Sequence, residues 1–201
     1  MNAYKLNSQI DFVENYENDF LNSETNKLYI VTLDNTEVVY GKHESCNIEY
    51  CDCNNIKYIN QDKLNTGGCI VGIKGNIFID YKYITHISRD TTDLTFIERI
   101  TKQFSNALCE YFKSKCLDSA ICDNNDVLID GYKVASGCQH EIVRDFKFIQ
   151  YMGYQISIYQ DLDLINHVCN KEMKKIPKAL SEYGITTEEM VKFIEDFYSN
   201  K

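Results

Sequence analysis

The stretch around Lys133 holds residue types that could handle a charged substrate. Asn125 and Asp126 open an apolar run, Asp130 and Gly131 supply a turn, and Lys133 follows on the far side. A lysine provides a fixed positive charge for a developing negative charge, and Mg²⁺ is commonly held by one or two carboxylates plus phosphate oxygens. The same residues also have simpler interpretations, because Asn and Asp favour turns and a strand lysine can simply be solvated.

A glycine pair further upstream is the second candidate feature. Gly67 and Gly68 come directly before a β-rich run that begins at Cys69. Because glycine has no Cβ, such a pair lets the backbone lie close to a phosphate or an acyl chain. Ordinary turns use the same residues, so the pair alone does not distinguish a site from a turn.

Several cysteines lie close together with a histidine in the first third of the chain. Cys46, Cys51 and Cys53 follow His43, and four such ligands could hold zinc. The spacing contains no Cys-x-x-Cys pair, so we interpret these cysteines as incidental. The total of nine cysteines is odd and their spacing is irregular, which favours free thiols in a reducing compartment.

Bulk composition narrows the class of protein. The chain of 201 residues fits a single domain over 1–201, with 44% hydrophobic and 25% charged residues. A net charge of −9 opposes binding to nucleic acid and to an anionic membrane. The sequence has no apolar run of transmembrane length and no apolar core of a signal peptide near its start, so we expect a cytoplasmic protein.

Hydrophobic spacing predicts intermixed helices and strands. The predicted helices cover 8–21, 92–113, 161–169 and 187–198, with Thr91 or Thr92 and Thr186 or Thr187 as caps, and 48–55 is a short helix or loop. The predicted strands cover 28–33, 37–40, 56–59, two joined by a turn within 69–81, a hairpin over 126–135, and 146–159. The tight turns favour an α+β fold with a mixed, partly antiparallel sheet flanked by helices.

Three stretches, in order, resemble lipoate-protein ligases and the related biotin-protein ligases. Residues 28–30 with 38–44 are similar to a strand pair that ends in the family's Gly-Arg-x-Gln-like turn beside the lipoyl pocket. Residues 63–71 with 75–78 are similar to Arg-Arg-x-Thr-Gly-Gly-Gly-Ala-Val and the following Gly-Asn-Leu strand. Residues 125–139 resemble Asn-Asp-(three apolar)-x-Gly-x-Lys-Ile-x-Gly-x-Ala-Gln, and Gly153 with 161–165 adds a weaker match.

The resemblance implies a fold, an activity and a set of partners. The fold is the catalytic domain shared by class II aminoacyl-tRNA synthetases and biotin ligases. The activity uses ATP and Mg²⁺ to activate lipoate or octanoate as an acyl-adenylate, and then acylates a lysine of a lipoyl-carrier protein. No nucleic acid and no membrane takes part.

The resemblance also assigns roles to residues of this chain. Lys133 is the catalytic lysine, and Asp126 is the Mg²⁺ ligand. The residues assigned to the acyl-adenylate are Lys63, Thr66, Gly67, Gly68, Cys69, Gly75, Asn76, Asn125, Asp126 and Gly137.

The chain departs from the family pattern at several polar positions. Lys63-Leu64 replaces the double arginine, Cys69 replaces the third glycine, residues 72–74 replace Tyr-His-Asp with one residue deleted, and 152–154 replace His-Gly-Thr. Lysine does not present the planar fork by which arginine binds phosphate. These losses leave open a catalytically degraded member of the fold, encoded by a cell or a phage, that serves as a binding or structural protein.

A cysteine-dependent octanoyl or lipoyl transferase is the remaining alternative. Some proteins of this fold hold the acyl group as a thioester, and one branch carries the cysteine shortly before the lysine-bearing hairpin. Cys116 and Cys122 lie in that region and would need a nearby cation such as Lys133 to become thiolates. Incidental or buried thiols are the simpler interpretation of both.

Overall fold

The structure is a computed structural model that describes residues 3–41, 46–61, 69–88, 90–91, 93–95, 97–122, 125–169 and 175–199. Two sheets and six α-helices make up this part of the chain. The helices are α1 (Gln9–Asp11), α2 (Glu17–Asn22), α3 (Ile48–Cys53), α4 (Ile100–Ser114), α5 (Leu162–Val168) and α6 (Thr187–Ser199). A π-helical segment, Phe12–Tyr16, joins α1 to α2, and a 3-10 helix covers Leu180–Tyr183. Among these described helices, none is both long and apolar enough to cross a membrane.

The larger sheet has seven strands in the order β1-β2-β6-β10-β9-β8-β7. Its strands are β1 (Ala3–Leu6), β2 (Lys27–Thr32), β6 (Ile77–His86), β7 (Ser119–Cys122), β8 (Asp126–Ile129), β9 (Tyr132–Arg144) and β10 (Lys147–Ile156). Only the β1–β2 pair is parallel among these pairs. The sheet is therefore mixed but mostly antiparallel.

The smaller sheet has three strands in the order β4-β3-β5. They are β3 (Glu37–Gly41), β4 (Lys57–Gln61) and β5 (Cys69–Gly72), and β3 pairs in parallel with β4 and antiparallel with β5. Its apolar side chains pack with α3 and α5 in a separate cluster that includes Val38, Val71 and Val168.

The two faces of the larger sheet are covered differently. One face packs against α4 and α6, in a core that includes Phe104, Phe112 and Tyr198, all nearly inaccessible to solvent. The opposite face is covered at one end by the helical segment 9–22, whose Phe12 and Phe20 pack against Tyr29 and Tyr151. The smaller sheet covers another part of this opposite face, so the two covers are separate pieces of chain.

The α+β class and most elements predicted from the sequence are confirmed. The hairpin is present, and Asp130 and Gly131 both take positive φ values of 52° and 82°, as a type I′ turn requires. Thr186 caps α6, because its hydroxyl accepts a hydrogen bond from the Glu189 amide. The predicted strands of 69–81 both exist, yet β5 and β6 belong to different sheets and do not pair. The turn between them moves the chain from one sheet to the other.

The predicted start of the long helix at 92 is wrong. Helix α4 begins at Ile100, so Thr91 is not its cap, and Thr92 lies outside the described residues. The apolar spacing of 94–97 resembles a helix turn. However, side chains of the larger sheet determine where the helix begins, because they accept hydrogen bonds from its first amides. The side chain of Gln150, on β10, accepts a hydrogen bond from the Ile100 amide at 3.0 Å, and a second glutamine, Gln139 on β9, accepts one from the next amide.

This buried cap gives a prediction for stability. Gln150 is fully buried, so Gln150→Leu leaves the Ile100 amide without its acceptor. We expect a loss of about 1–3 kcal/mol in the free energy of unfolding, measured by chemical denaturation. The control is Lys102→Ala, an exposed change on the same helix, which should stay within about 0.5 kcal/mol. Equal stabilities for the two variants would contradict the role of Gln150.

Candidate functional site

A cavity of about 570 Å³ lies between the larger sheet and its two covers. Its lining comes from three parts of the chain: the larger sheet (Asp80, Lys133, Gly137, Cys138 and Gly153 among others), the smaller sheet (Val39, Gln61 and Ile70) and Gln9 of the helical segment. The volume falls within the range of sites for small molecules. Polar and apolar groups share the lining, so the cavity suits a ligand that is itself part polar and part apolar.

One end of the cavity carries a carboxylate between two ammonium groups. Asp126 is mostly buried, and its two oxygens lie 3.3 Å from the Lys133 Nζ and 3.4 Å from the Lys175 Nζ. The hydrogen bond to the Cys122 sulfur raises the pKa of Lys175, partial burial opposes the rise, and the charge of Asp126 adds to it. Among the described residues, two ammonium groups face one carboxylate here, a surplus of positive charge that would attract an anion.

Buried hydroxyls hold the turn that carries this carboxylate. Asn125 has a φ of 62°, a left-handed conformation that asparagine tolerates better than most residues. Its carbonyl accepts hydrogen bonds from the Ser105 hydroxyl of α4 at 3.2 Å and the Tyr154 hydroxyl of β10 at 3.1 Å. A Cβ at Gly137 would come within 2.3 Å of the Tyr154 ring, so glycine is needed for the ring to reach this turn.

The lysines are brought together by backbone contacts at the start of β9. The Lys133 amide donates to the Ile176 carbonyl at 3.0 Å, and the Lys178 amide donates to the Lys133 carbonyl at 2.9 Å. Residues 175–178 therefore run beside β9 as an added strand-like segment. This contact places Lys175 next to Asp126, from which it is far removed in sequence.

The floor of the cavity includes one row of residues across three adjacent strands. Asp80 on β6 is paired with Gly153 on β10, which is paired with Cys138 on β9. Paired residues of antiparallel strands project from the same face, and a Cβ at Gly153 would lie 3.1 Å from the Cys138 sulfur and 4.0 Å from the Asp80 Oδ1. The glycine therefore leaves space between a carboxyl and a thiol.

Asp80 is an uncommon residue for the middle of a sheet. It is 3% exposed, and its Oδ2 accepts a hydrogen bond from the Gln9 Nε2 at 2.8 Å. Burial raises its pKa to about 7, with a contribution in the same direction from the negative charge of Glu17, while the hydrogen bond from Gln9 opposes the rise. No described residue supplies a counter-ion for this carboxyl, and burying a carboxyl without one costs stability.

The structure brings four of the predicted site residues to the cavity. Lys133, Asn125, Asp126 and Gly137 all line it. The backbone of Cys69 lies in β5, next to the lining residue Ile70. The predicted residues Lys63, Thr66, Gly67 and Gly68 lie outside the described residues, as does His43.

Gly75 and Asn76 are not among the lining residues of this cavity. Gly75 has a φ of 86° and lies against the Tyr159 ring, and its carbonyl accepts a hydrogen bond from the Thr187 hydroxyl. The Asn76 side chain is fully buried and its oxygen accepts a hydrogen bond from the Tyr159 amide at 2.8 Å. Both residues stabilise the turn between the two sheets. The sequence motif alone does not distinguish this structural role from contact with a ligand.

The two predicted alternative nucleophiles also lie away from the cavity lining. Cys116 is exposed just after α4, with a φ of 63°. Cys122 lies on the edge strand β7, where its sulfur contacts the Lys175 ammonium and the Asp126 carbonyl. Cys122 is thus beside the charged end of the cavity, whereas Cys116 has no connection to it.

The cysteines near the first helices occupy different environments. Cys46 and Cys51 are buried with α5 in the apolar cluster under the smaller sheet, and Cys53 is exposed. Burial raises the pKa of Cys51 to about 11. A raised pKa keeps the thiol neutral and unreactive at physiological pH.

Sequence reasoning missed most residues of the cavity region, and four of them carry groups that could do chemistry or bind a ligand. They are Gln9, Asp80, Cys138 and Lys175. One signal was available, because Asp80 interrupts the apolar run Ile77-Phe78-Ile79 within a single strand. No sequence signal identifies Gln9 or Lys175, since each depends on a contact with a distant part of the chain.

Comparison with known proteins identifies the architecture. No protein-family model and no curated protein matches the sequence. Among solved structures, lipoate-protein ligase A bound with ATP superposes with a TM-score of 0.69 at 13% identity, covering 100% of this chain and 85% of that one. The chain has the lipoate-protein ligase fold.

Two further structures share the lipoate-protein ligase fold with this chain. The bipartite lipoate protein ligase of Thermoplasma acidophilum, solved with its E2 lipoyl domain, gives a TM-score of 0.69 at 14% identity, covering 100% of this chain and 83% of that one. LipL1 of P. falciparum, in complex with lipoate, gives 0.63 at 16% identity, covering 98% of this chain and 62% of LipL1. The chain therefore spans less than two thirds of the length of LipL1.

The buried Asp80 gives a prediction for the pH dependence of stability. An unfolded aspartate has a pKa of about 3.9, whereas Asp80 in the folded protein has a pKa of about 7. Between these values the folded state holds the proton more tightly, so the free energy of unfolding falls as pH rises and levels off above pH 7. Asp80→Asn should remove this fall, and its stability relative to the native chain should improve by about 2–3 kcal/mol from pH 5 to pH 8.

Chemical denaturation at several pH values measures this difference. Asp163→Asn, an exposed change in the first turn of α5, is the matched control and should follow the native curve. If the Asp80→Asn curve also runs parallel to the native curve, the pKa of Asp80 is not raised by burial in the folded protein.

Proposed function

We propose that this protein activates lipoate or octanoate with ATP and transfers the acyl group to a lysine of a carrier protein. The observation that carries the proposal is the cavity end where Lys133, Lys175 and Asp126 meet. ATP, a carboxylic acid and an acyl-adenylate are all anionic, and a surplus of positive charge beside a partly apolar cavity suits each of them. The structures of this fold solved with ATP and with lipoate support the choice of ligands.

The reaction has two steps with different needs. In the first, a carboxylate oxygen of the acid attacks the α-phosphorus of ATP, the acyl-adenylate forms, and pyrophosphate leaves. In the second, the neutral amine of the carrier lysine attacks the acyl carbon, AMP leaves, and the amine gives up a proton as the amide forms. Lys133 would stabilise the negative charge that develops on the phosphate in the first step and on the acyl oxygen in the second.

Asp126 has two uses in this scheme. Its carboxylate holds the Lys133 ammonium at the cavity, which fixes the position of the positive charge before the substrate arrives. The carboxylate would also hold Mg²⁺ together with phosphate oxygens, and Mg²⁺ would neutralise charge on the leaving pyrophosphate.

The carrier and the compartment complete the proposal. A structure of this fold was solved with its E2 lipoyl domain, so a small lipoyl domain is the proposed acceptor. We place the reaction in the cytoplasm, where a reducing environment would keep the nine cysteines as thiols.

Cysteine-dependent acyl transfer is the second candidate. The contact between the Cys122 sulfur and the Lys175 ammonium supports it, because it places a sulfur that could accept an acyl group beside the charged end of the cavity. This route needs an acyl thioester donor and releases no pyrophosphate. The two candidates are therefore distinguishable with the same protein.

A lysine substitution tests the proposed ligase. We expect Lys133→Ala to lower the rate of pyrophosphate release from ATP and lipoate by about a hundredfold or more, because one preorganised charge at the reacting centre is lost. The backbone contacts of residue 133 with the 176–178 segment are unaffected by the change. Lys113→Ala, an exposed lysine on α4, is the matched control and should retain the native rate.

Mass spectrometry of a lipoyl domain completes this test. With ATP and lipoate the native chain should add one lipoyl group to the domain, and Lys133→Ala should not within the same time. The native chain could instead acylate the domain only from a thioester donor and lose this activity on Cys122→Ser. That result would favour the transferase over the ligase. If the native chain binds neither ATP nor lipoate, both candidates are wrong and the protein uses this fold as a non-catalytic scaffold.

A further inference from the structure

Cys138 places a thiol in the lining of the cavity. It lies on β9 opposite Gly153, and its sulfur donates a hydrogen bond to the Gly153 carbonyl at 3.3 Å. A Cβ at Gly153 would come within 3.1 Å of this sulfur, so the glycine keeps space open beside the thiol. The motif that residues 125–139 resemble has alanine at this position, and the thiol is therefore a departure made by this chain.

A second, independent feature indicates that a ligand occupies this end of the cavity. Gln9 also lines the cavity, is 3% exposed, and its Oε1 is buried with no hydrogen-bond partner among the described residues. The Nε2 of the same side chain donates to Asp80, which shares its row of the sheet with Cys138. Buried polar atoms usually have a partner, so this oxygen is in place for a group that a bound molecule supplies.

The spacing along β9 relates the thiol to the charged end of the cavity. Lys133 and Cys138 both line the cavity, although an odd number of residues normally reverses the face of a strand. Val134 is an extra residue where β9 pairs with β8, and this bulge restores the face. At the usual rise of a strand the two backbones are separated by roughly 13–17 Å.

The length and chemistry of lipoate match this arrangement. Four methylene groups separate its carboxyl group from a five-membered ring that contains a disulfide. The Lys133 side chain, the carboxyl group and these methylene groups together cover a distance of the order that separates the two residues. With its carboxyl group activated beside Lys133, lipoate would therefore bring its ring disulfide to the Cys138 thiol.

We propose that the Cys138 thiol captures lipoate by thiol–disulfide exchange with its ring, and that lipoate rather than octanoate is the acid selected by this cavity. This inference rests on the proposed function and names its substrate. The Cys138 thiolate attacks one ring sulfur, a disulfide forms between Cys138 and the lipoyl chain, and the ring S–S bond breaks. The proton lost by Cys138 ends on the other ring sulfur. Because one disulfide replaces another, the step needs no oxidant or reductant.

The exchange is reversible and leaves the carboxyl group able to react. The new lipoyl thiol can attack the mixed disulfide, which closes the ring and restores the Cys138 thiol. While the ring is open, the lipoyl thiol is a weak hydrogen-bond donor, at the end of the cavity where the Gln9 Oε1 lacks a partner. Octanoate has no sulfur, so it gains neither the covalent bond nor this donor.

Alkylation traps the captured acid, because it caps the new lipoyl thiol before the ring can close. The full chain is incubated with lipoate and then with iodoacetamide, and peptide mass spectrometry locates the products. We expect the peptide that contains Cys138 to carry one lipoyl group with a capped thiol. Octanoate should leave no adduct, and neither should dihydrolipoate, whose two sulfurs are thiols and offer no disulfide to attack.

Two serine substitutions test the site of capture. Cys138→Ser keeps a similar size and a donor for the Gly153 carbonyl but cannot form a disulfide, so the adduct should disappear. In pyrophosphate release, the ratio of the KM for lipoate to the KM for octanoate should rise about tenfold or more in this variant. Cys53→Ser, which changes an exposed cysteine of α3, is the matched control and should keep both the adduct and the native ratio.

The outcomes distinguish this capture from the function on which it rests. If the native chain releases pyrophosphate from ATP with lipoate but no adduct forms at Cys138, the capture is overturned and the ligase is not. Adducts spread equally over the exposed Cys53 and Cys116 would also overturn the capture, because they report unselective exchange. An adduct at Cys138 without pyrophosphate release from any acid supports the capture and overturns the ligase. The adduct of the native chain tests the proposal even if Cys138→Ser does not fold, which circular dichroism reports.

Discussion

The cavity exists because one face of the seven-stranded sheet is covered by two separate pieces of chain. The helical segment 9–22 and the smaller sheet each bury their own apolar residues, and polar contacts connect them to each other and to the larger sheet. Gln61 of the smaller sheet donates to Glu17 of the helical segment, and Gln155 of the larger sheet donates to the smaller one. Ile59 and Ile70 of the smaller sheet also pack against the cluster of the helical segment, so apolar and polar contacts together hold the two covers around the cavity.

The opposite face of the same sheet supplies the stability that such a cavity requires. There α4 and α6 bury aromatic and aliphatic residues almost completely, and the hydroxyls of Ser105 and Tyr154 extend from this core to the Asn125 carbonyl. The charged end of the cavity is thus attached to this buried core. Tyr154 is one of the departures from the family motif, and its contact with the turn gives that departure a structural use.

The sequence predicted the elements better than it predicted the site. The hairpin, the strand 147–156 and the helices near 165 and 190 follow from local spacing and turn residues, and the structure has them. The start of α4 was missed because Gln139 and Gln150 of distant strands determine it. For the site, the motif located Lys133 and Asp126. A motif does not report contacts between remote segments, and only such contacts bring Gln9 to the cavity and Lys175 to Asp126.

The strand-like segment beside β9 affects the order in which the charged end can assemble during synthesis. Lys175 follows Asp126 by 49 residues, and chains emerge from the ribosome from the amino end at several residues per second. When the hairpin of β8 and β9 has formed but residue 175 has not yet been added, Asp126 can reach only Lys133, and the Lys133 backbone lacks its partners in the 176–178 segment. The charged end of the cavity is therefore completed late, after the sheet that carries it has been made.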